Sequence, residues 1–416
     1  MKGKIPGKTL SASYFWTQHQ HLIMRTITLF LLAIALRTHA QPYTPGQSYF
    51  GSNNYTEYVA GNMPLILSAP HGGLLLPASI PDRNCSGCST VNDFNTQELA
   101  RALANALHER TGCWPHLVVN RLHRRKLDAN RDLPEAADGN PTAGQAWADF
   151  HNFLGNAKNE VAFNFGKGFY VDLHGHGHSI QRLELGYLLY SDELRLPEDT
   201  LNTPTFTGYS SIKHLAEDNP QALSHAELLR GNQSLGELLA NRGYPATPSQ
   251  SDPAPDAGED YFSGGYNTAR YSSCNGGTID GVQIECNRTG VRDSLSQVER
   301  FADSLAVALI DYLGRHYFGV LSTSFCESSD AGQPGSTWTY DVSPNPFCRS
   351  FQIRHNDTSA DWTAEVYDFY GNLVQSSPVP VNMPIQVDPS SGGPVFVMLR
   401  RNGEIAAVKT VLSACR

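Results

Sequence analysis

Long basic runs are missing from this 416-residue chain: 31 Lys and Arg stand against 40 Asp and Glu, a formal charge of −9. That excludes the electrostatic footprint of a nucleic-acid binder. No apolar run reaches the roughly 20 residues that a bilayer-spanning helix requires, so no stable membrane span is expected. Cys85 and Cys88 form a Cys-x-x-Cys pair, but no second pair stands at matching spacing. That absence argues against half of a four-cysteine zinc site and favours a disulfide or two free thiols.

What is present bounds the fold. Apolar residues make up 40%, with 18 Phe and 18 Tyr, enough for a substantial core. Glycine (36) and proline (25) are plentiful, so long loops are expected. The length suggests two or three domains.

The start of the chain has the pattern of a targeting segment. Met24-Arg-Thr is followed by the apolar run Ile27 to Leu36 and then by Thr38-His-Ala40. A basic start, a short apolar centre and a small residue at the cleavage point describe a secretory signal. Arg37 departs from that pattern, and residues 1–23 precede it, so translation starting at Met24 is a second reading of the N-terminus. Residues 1–40 are therefore set apart as extension and signal, and a secreted or cell-surface protein is expected. Export makes the eight cysteines (Cys85, Cys88, Cys113, Cys274, Cys286, Cys326, Cys348 and Cys415) readable as an even, disulfide-capable set. Their connectivity does not follow from spacing.

Residues 41–318 alternate strand and helix signals. Met63 to Ala69, His116 to Asn120, Phe169 to Leu173, Leu185 to Tyr190 and Val282 to Arg288 read as strands. Asn95-Thr-Gln-Glu98 predicts a capping box ahead of an apolar stripe Leu99, Leu103, Ala106 and Leu107, stopping at Gly112. A helix-like segment lies around Leu223 to Arg242. Ser294 to Leu313 is a second amphipathic helix, capped by Ser294-x-x-Gln297 and stopped by Gly314. The alternation predicts an α/β domain with a mostly parallel sheet flanked by helices. Residues 319–339 read as a Ser/Gly/Thr-rich linker. From 340 to 416, short strand signals around Phe351, Ala364, Asn372, Ile385, Val395 and Ala407 predict a small β-sandwich.

The chemistry concentrates where strands end. Phe169-Tyr-Val-Asp-Leu-His-Gly-His-Gly-His178 empties a buried strand into three histidines, with Asp172 two positions before His174. The strand at 63–69 likewise delivers His71, followed by Gly72 and Gly73. Asp93, at the start of the first helix, stands where a carboxylate can reach over a sheet edge or simply favour the helix. Asn130-Arg131 offers a guanidinium for a carboxylate partner. Glu285 places an acid inside an apolar strand, where it needs a partner or a raised pKa. Two neutral imidazoles and one carboxylate with an open position make the donor set of a hydrolytic zinc site.

Six segments carry a resemblance. Ser68-Ala-Pro-His-Gly-Gly73, Asp93-Phe-Asn-Thr-Gln-Glu-Leu99, Lys126-Leu-Asp-Ala-Asn-Arg131, Val171-Asp-Leu-His174, Gly264-Gly-Tyr-Asn-Thr-Ala-Arg-Tyr271 and Val282-Gln-Ile-Glu-Cys-Asn-Arg288 stand in the order seen in N-formylglutamate amidohydrolases. The resemblance spans most of residues 60–315 and implies a zinc-dependent exopeptidase-like fold. It implies His71 and His174 as Zn2+ ligands and Glu285 as the catalytic carboxylate. The third ligand is assigned to Asp93, with Glu98 as the alternative, because Leu74 stands where carboxypeptidases carry a glutamate. Asn130, Arg131, Arg124 and Arg270 are assigned to substrate binding, with Arg125 a further candidate to assist the scissile carbonyl. Asp172 is assigned to orienting His174. Val342-Ser-Pro-Asn-Pro-Phe347 and Val366-Tyr-Asp-Phe-Tyr-Gly371 resemble the sorting domain of the type IX secretion system of Bacteroidetes, which implies secretion machinery as a partner.

The expected activity is hydrolysis of an amide bond in an N-acyl amino acid, peptide or cell-wall fragment bearing a carboxylate. Three other readings stay open: a non-catalytic secreted binding protein, a carboxypeptidase-like peptidase, and a site using His174, His176 and His178 together. The last lacks the Asp-His half that His-x-His hydrolases carry.

Overall fold

The computed structural model describes residues 43–318 apart from Ser86, and beyond them 340–343, 350–355, 357–367, 373–380, 385–387 and 395–411. The expected signal (1–40) and linker (319–339) lie outside the described residues, as do Cys326, Cys348 and Cys415. Eight strands build the first sheet: β1 (Ser48–Phe50), β2 (Thr56–Val59), β3 (Leu65–Ala69), β4 (His116–Asn120), β5 (Gly168–Gly175), β6 (Leu183–Gly186), β7 (Ala246–Thr247) and β8 (Ile279–Cys286). Their order is β1-β2-β4-β3-β5-β8-β6-β7. The centre, β4-β3-β5-β8, is parallel. β2 joins β4, and β6 joins β8, in the antiparallel sense. The central strands are buried along nearly their whole length, which is why their sequences are close to continuously apolar rather than alternating.

Three long helices cover the sheet: α1 (Thr96–Thr111), α2 (Pro141–Phe165) and α3 (Leu295–Leu313). Leu99, Leu103 and Leu107 of α1 and Val298, Phe301, Leu305 and Leu309 of α3 form one core with Leu65, Leu67, Phe169, Val171, Val282 and Ile284. Truncating a ring such as Phe301 to Ala would cost about 3–5 kcal/mol. Alternate residues point the other way, and that second face packs against α2 through Ala143, Phe150, Leu154 and Val161. The chain thus winds from β3 to β4 on one face and from β4 to β5 on the other. Winding reverses at β3 and β5, and the carboxyl ends of strands at such a reversal are the usual ligand position in sheets of this kind.

Some local expectations change. Asn95 adopts φ 59° and makes no side-chain cap; its amide donates instead to the Arg292 carbonyl at 3.0 Å, so the capping box does not form. The strand expected at Leu185–Tyr190 starts at Leu183 and ends at Gly186, before Leu188 takes a positive φ. The Leu223–Arg242 segment is two short helices, His225–Arg230 and Leu235–Ala240, broken around Gly231. Helix α2 and strands β1 and β2 have no counterpart among the sequence-based elements. Ser294 caps α3 as expected, accepting from the Gln297 N–H.

The C-terminal strands are β9 (Tyr340–Ser343), β10 (Phe351–His355), β11 (Trp362–Tyr367), β12 (Leu373–Pro378), β13 (Ile385–Val387), β14 (Val395–Arg401) and β15 (Glu404–Val411). They form antiparallel sheets ordered β13-β10-β9 and β12-β11-β14-β15. Phe351 and Ile353 of the first share one core with Trp362, Val366, Val397 and Leu399 of the second, which makes the pair a sandwich.

Candidate metal centre

Strand register lines up the polar residues of the second face. Ser68 on β3, Asp172 on β5 and Gln283 on β8 stand in one row, and His174 on β5 and Glu285 on β8 in the next. His71 leaves the end of β3 one turn of chain beyond Ser68, and the backbone N–H of Asp93 donates to the His71 carbonyl at 3.1 Å. That bond folds the 71–93 loop back on itself and delivers the Asp93 carboxylate to the same place. Gly73 is required by close approach, since a Cβ there would run into the backbone of Arg121 and Leu122.

Both histidines present Nδ1 to one atom. His71 Nδ1 lies 3.2 Å, and His174 Nδ1 3.3 Å, from Asp93 Oδ2. The ring centroids are 4.7 Å apart, edge to face, and all three residues are buried. Donors of a tetrahedral zinc site, each about 2.1 Å from the ion, stand about 3.4 Å from one another. The observed separations fit that spacing. Glu98, the alternative ligand, is half-buried on the first turn of α1 and does not join this cluster.

The remaining ring nitrogens are tied to buried acids. His174 Nε2–H donates to Asp172 Oδ2 at 2.8 Å, and His71 Nε2–H donates to Asp128 Oδ1 at 2.6 Å. Carboxylate anchors of this kind fix the tautomer that leaves Nδ1 free for a metal. Behind Asp172, Ser68 Oγ donates to its other oxygen and contacts the Tyr170 hydroxyl at 2.6 Å. Asp128 was not singled out from sequence, although it stands two residues before Asn130. As an acid inside a dense basic stretch, it was the available signal.

Electrostatics follow from burial and these partners. Burial pushes Asp93 up, but the charges and hydrogen bonds of His71 and His174 outweigh it and hold the carboxyl below the ordinary range. Asp128 is also held well below, burial opposing and His71 and Arg124 prevailing. His174 is raised: burial opposes its charged form, yet Asp172 and Asp93 overcome that cost. Glu285 goes the other way. Burial pushes it up to about 8, with His174 pulling down and Asp93 and Glu184 pushing further up. An acid poised near neutrality beside a donor cluster is suited to proton transfer.

The expected substrate-binding residues divide. Asn130 lies against the centre, its amide nitrogen 3.4 Å from His174 Nε2 and its carbonyl accepting from the Asn267 backbone at 2.8 Å. Arg124 is held by the acids, donating to Asp128 at 2.9 Å and to Asp93 at 3.5 Å. Arg131 instead pairs with Glu135 at 3.0 Å, one helical turn on. Arg125 faces Asp82 at 3.7 Å. Arg270 lies over the Trp147, Tyr266 and Tyr271 rings at 5.5–5.8 Å and makes no carboxylate ion pair among the described residues. Gln283 donates to Glu285 at 2.9 Å, while its Oε1 and the whole Asn267 amide are buried without a partner. Cys85 and Cys88 form a disulfide. Among the described residues no helix is long and apolar enough to cross a membrane.

No protein-family model matches the chain, and no curated protein matches it. Among solved structures it is similar to N-formylglutamate amidohydrolase from Ralstonia eutropha JMP134, at 14% identity and TM-score 0.35, over 59% of this chain and 93% of that one. A candidate metallopeptidase from Shewanella amazonensis SB2B is similar at 11% identity and TM-score 0.31, over 67% and 87% of the two chains. The CwlD amidase of Clostridioides difficile, solved with the GerS lipoprotein, is similar at 13% identity and TM-score 0.24, over 61% and 98%.

Proposed function

We propose that this chain is a secreted zinc-dependent amidohydrolase acting on an N-acyl amino acid, peptide or cell-wall fragment with a free carboxylate. The observation that carries the proposal is the convergence of His71 Nδ1 and His174 Nδ1 on Asp93 Oδ2, each ring anchored behind by a buried acid. His71, Asp93 and His174 would hold the ion. The chemistry that zinc supplies in such a set is polarisation of a carbonyl and acidification of water to a pKa near 7.

The protein's own groups do the rest. Glu285, beside His174 in the strand register, takes the proton of the attacking water and returns it to the departing amine. Gln283 steadies that carboxylate through its amide. Asn130, with the unpaired amide of Asn267 and Gln283 Oε1, offers hydrogen bonds to the substrate's polar atoms. Arg270, free of any carboxylate partner among the described residues, is the better candidate than Arg131 for the substrate carboxylate. Export is supported by the N-terminal signal pattern and the Cys85–Cys88 disulfide. The C-terminal sandwich is proposed as the sorting module of residues 340–416, following the hydrolase domain of 41–318.

The test is zinc content and turnover on a panel of N-acyl amino acids, peptides and peptidoglycan fragments, before and after a chelator. Zinc held by His71, Asp93 and His174, and chelator-sensitive hydrolysis, are expected. Stoichiometric zinc without turnover on any panel member would replace the enzyme with a binding protein.

A further inference from the structure

His174, His176 and His178 follow one another at alternate positions, yet they do not act as one set. β5 ends at Gly175, and only His174 points to Asp93. The other two turn to Glu184 on β6. His178 Nδ1 lies 2.8 Å from Glu184 Oε1, and His176 Nδ1 3.9 Å from the same oxygen. All three ligand atoms are within 4.8 Å of one another. His176 Nε2–H donates to the Arg182 carbonyl at 2.8 Å, which turns Nδ1 toward Glu184 in the way Asp128 and Asp172 turn the other rings. One competitor is present: the backbone N–H of His178 lies 3.1 Å from His176 Nδ1.

Charge gives an independent reason to look for a cation here. Glu184 stands directly opposite Glu285 on neighbouring antiparallel strands, and both are buried. Neither makes an ion pair with Lys or Arg among the described residues. The nearest guanidinium in sequence, Arg182, is committed to Asp252 at 2.9 Å and Glu259 at 2.7 Å. Two facing buried acids are unfavourable when both are ionised; His174 eases that for Glu285, whereas Glu184 has only His176 and His178 in ion-pair reach among the described residues.

We propose that His176, His178 and Glu184 form a second divalent-cation site, of two imidazoles and one carboxylate, across β8 from the first. That donor set suits an ion of the zinc class. The Phe262 backbone N–H donates to the other Glu184 oxygen at 2.8 Å, and the Phe262 ring stacks on His178 at 4.7 Å. The 252–265 loop is therefore held to the same residues. This inference goes beyond the proposed function and does not depend on it.

The test uses the full chain, stripped by chelator and reloaded with Zn2+ alone, with metal content read by mass spectrometry and calorimetry. The wild type should take up two equivalents. His178→Ala, at a half-buried loop position, and the near-isosteric Glu184→Gln should each weaken the second uptake at least tenfold and leave the first unchanged. His71→Ala should do the reverse, and Co2+ loading should show two spectral components that the variants remove separately. A wild type holding a single equivalent that His71→Ala abolishes would overturn the second site and leave the proposed function intact. So would two equivalents untouched by both His178→Ala and Glu184→Gln. If His71→Ala keeps both equivalents, the first centre is wrong while the second stands.

Discussion

The two histidine-carboxylate clusters meet at the carboxyl end of β5 and differ in how they are assembled. His71, Asp93 and His174 come from three remote segments, brought together by β3, β5 and the loop that returns from His71. His176, His178 and Glu184 come from one short stretch running into β6. In the first, both rings are backed by buried carboxylates; in the second, His176 is backed by a backbone carbonyl. A carboxylate anchor makes an imidazole more basic and a stronger ligand. The same anchor makes it hold a proton more firmly, so His174 is raised, whereas burial lowers His176 despite the pull of Glu184. Strength of metal binding and sensitivity to acid are therefore expected to rise together in the first cluster.

The largest effect that would break this contrast is removal of a first-cluster ligand. His71→Ala and His174→Ala are each expected to lose one bound equivalent and all measurable turnover; an unchanged metal-to-protein ratio in either, read by elemental analysis, would show that ligand to be misassigned. Next comes Glu285→Gln, which should keep the ion while lowering kcat by about 10²–10⁴-fold, the usual contribution of a general base. Unchanged turnover would remove Glu285 from the mechanism. Asp128→Asn and Asp172→Asn address the anchors themselves and should weaken metal affinity by about 10–100-fold in a calorimetric titration. Equal affinity in both would mean that the buried acids are not what distinguishes the clusters.

Acidity gives the mildest effect. Because the His174 value is raised, protons compete with an ion for Nδ1 at higher pH than they would at an ordinary imidazole. First-cluster affinity should therefore fall about tenfold for each pH unit lowered below the folded His174 value. In the metal-stripped protein the sign for stability is opposite. A raised imidazole contributes stability that is complete below its unfolded value and is lost as pH rises through the folded one. The depressed Asp93 and Asp128 contribute stability that is present at neutral pH and is lost as pH falls toward their folded values. A calorimetric pH series would separate the two trends.

Much of the framework was legible because burial leaves a mark on composition. β3, β4, β5 and β8 are apolar runs that end in His71, Asn120, His174 and Glu285 or close to them, and each was found within a few residues. Helix α2 was missed although Asn140 caps it and Pro141 opens it, because its stripe of Ala143, Ala146 and Ala157 carries little hydrophobic contrast. Strands β1 and β2 were missed because Glu57 and the tyrosines beside it give no clean alternation. At the site, residue types and their positions at strand ends drew attention to His71, His174, Asp93, Asn130 and Glu285. Asp128 stands out as an acid in a basic stretch, but nothing local ties it to His71, or Glu184 to Glu285.

By itself, then, the sequence determined which segments are buried, where they stop and which chemically able side chains stand at those stops. These follow from periodicity and from the rarity of acids and imidazoles in apolar runs. Only the tertiary structure decided the pairings: which nitrogen of each ring faces Asp93, that Arg131 turns to Glu135, and that the three histidines divide one and two. Those outcomes depend on strand order and on loop closure over tens of residues, and neither leaves a trace in local composition.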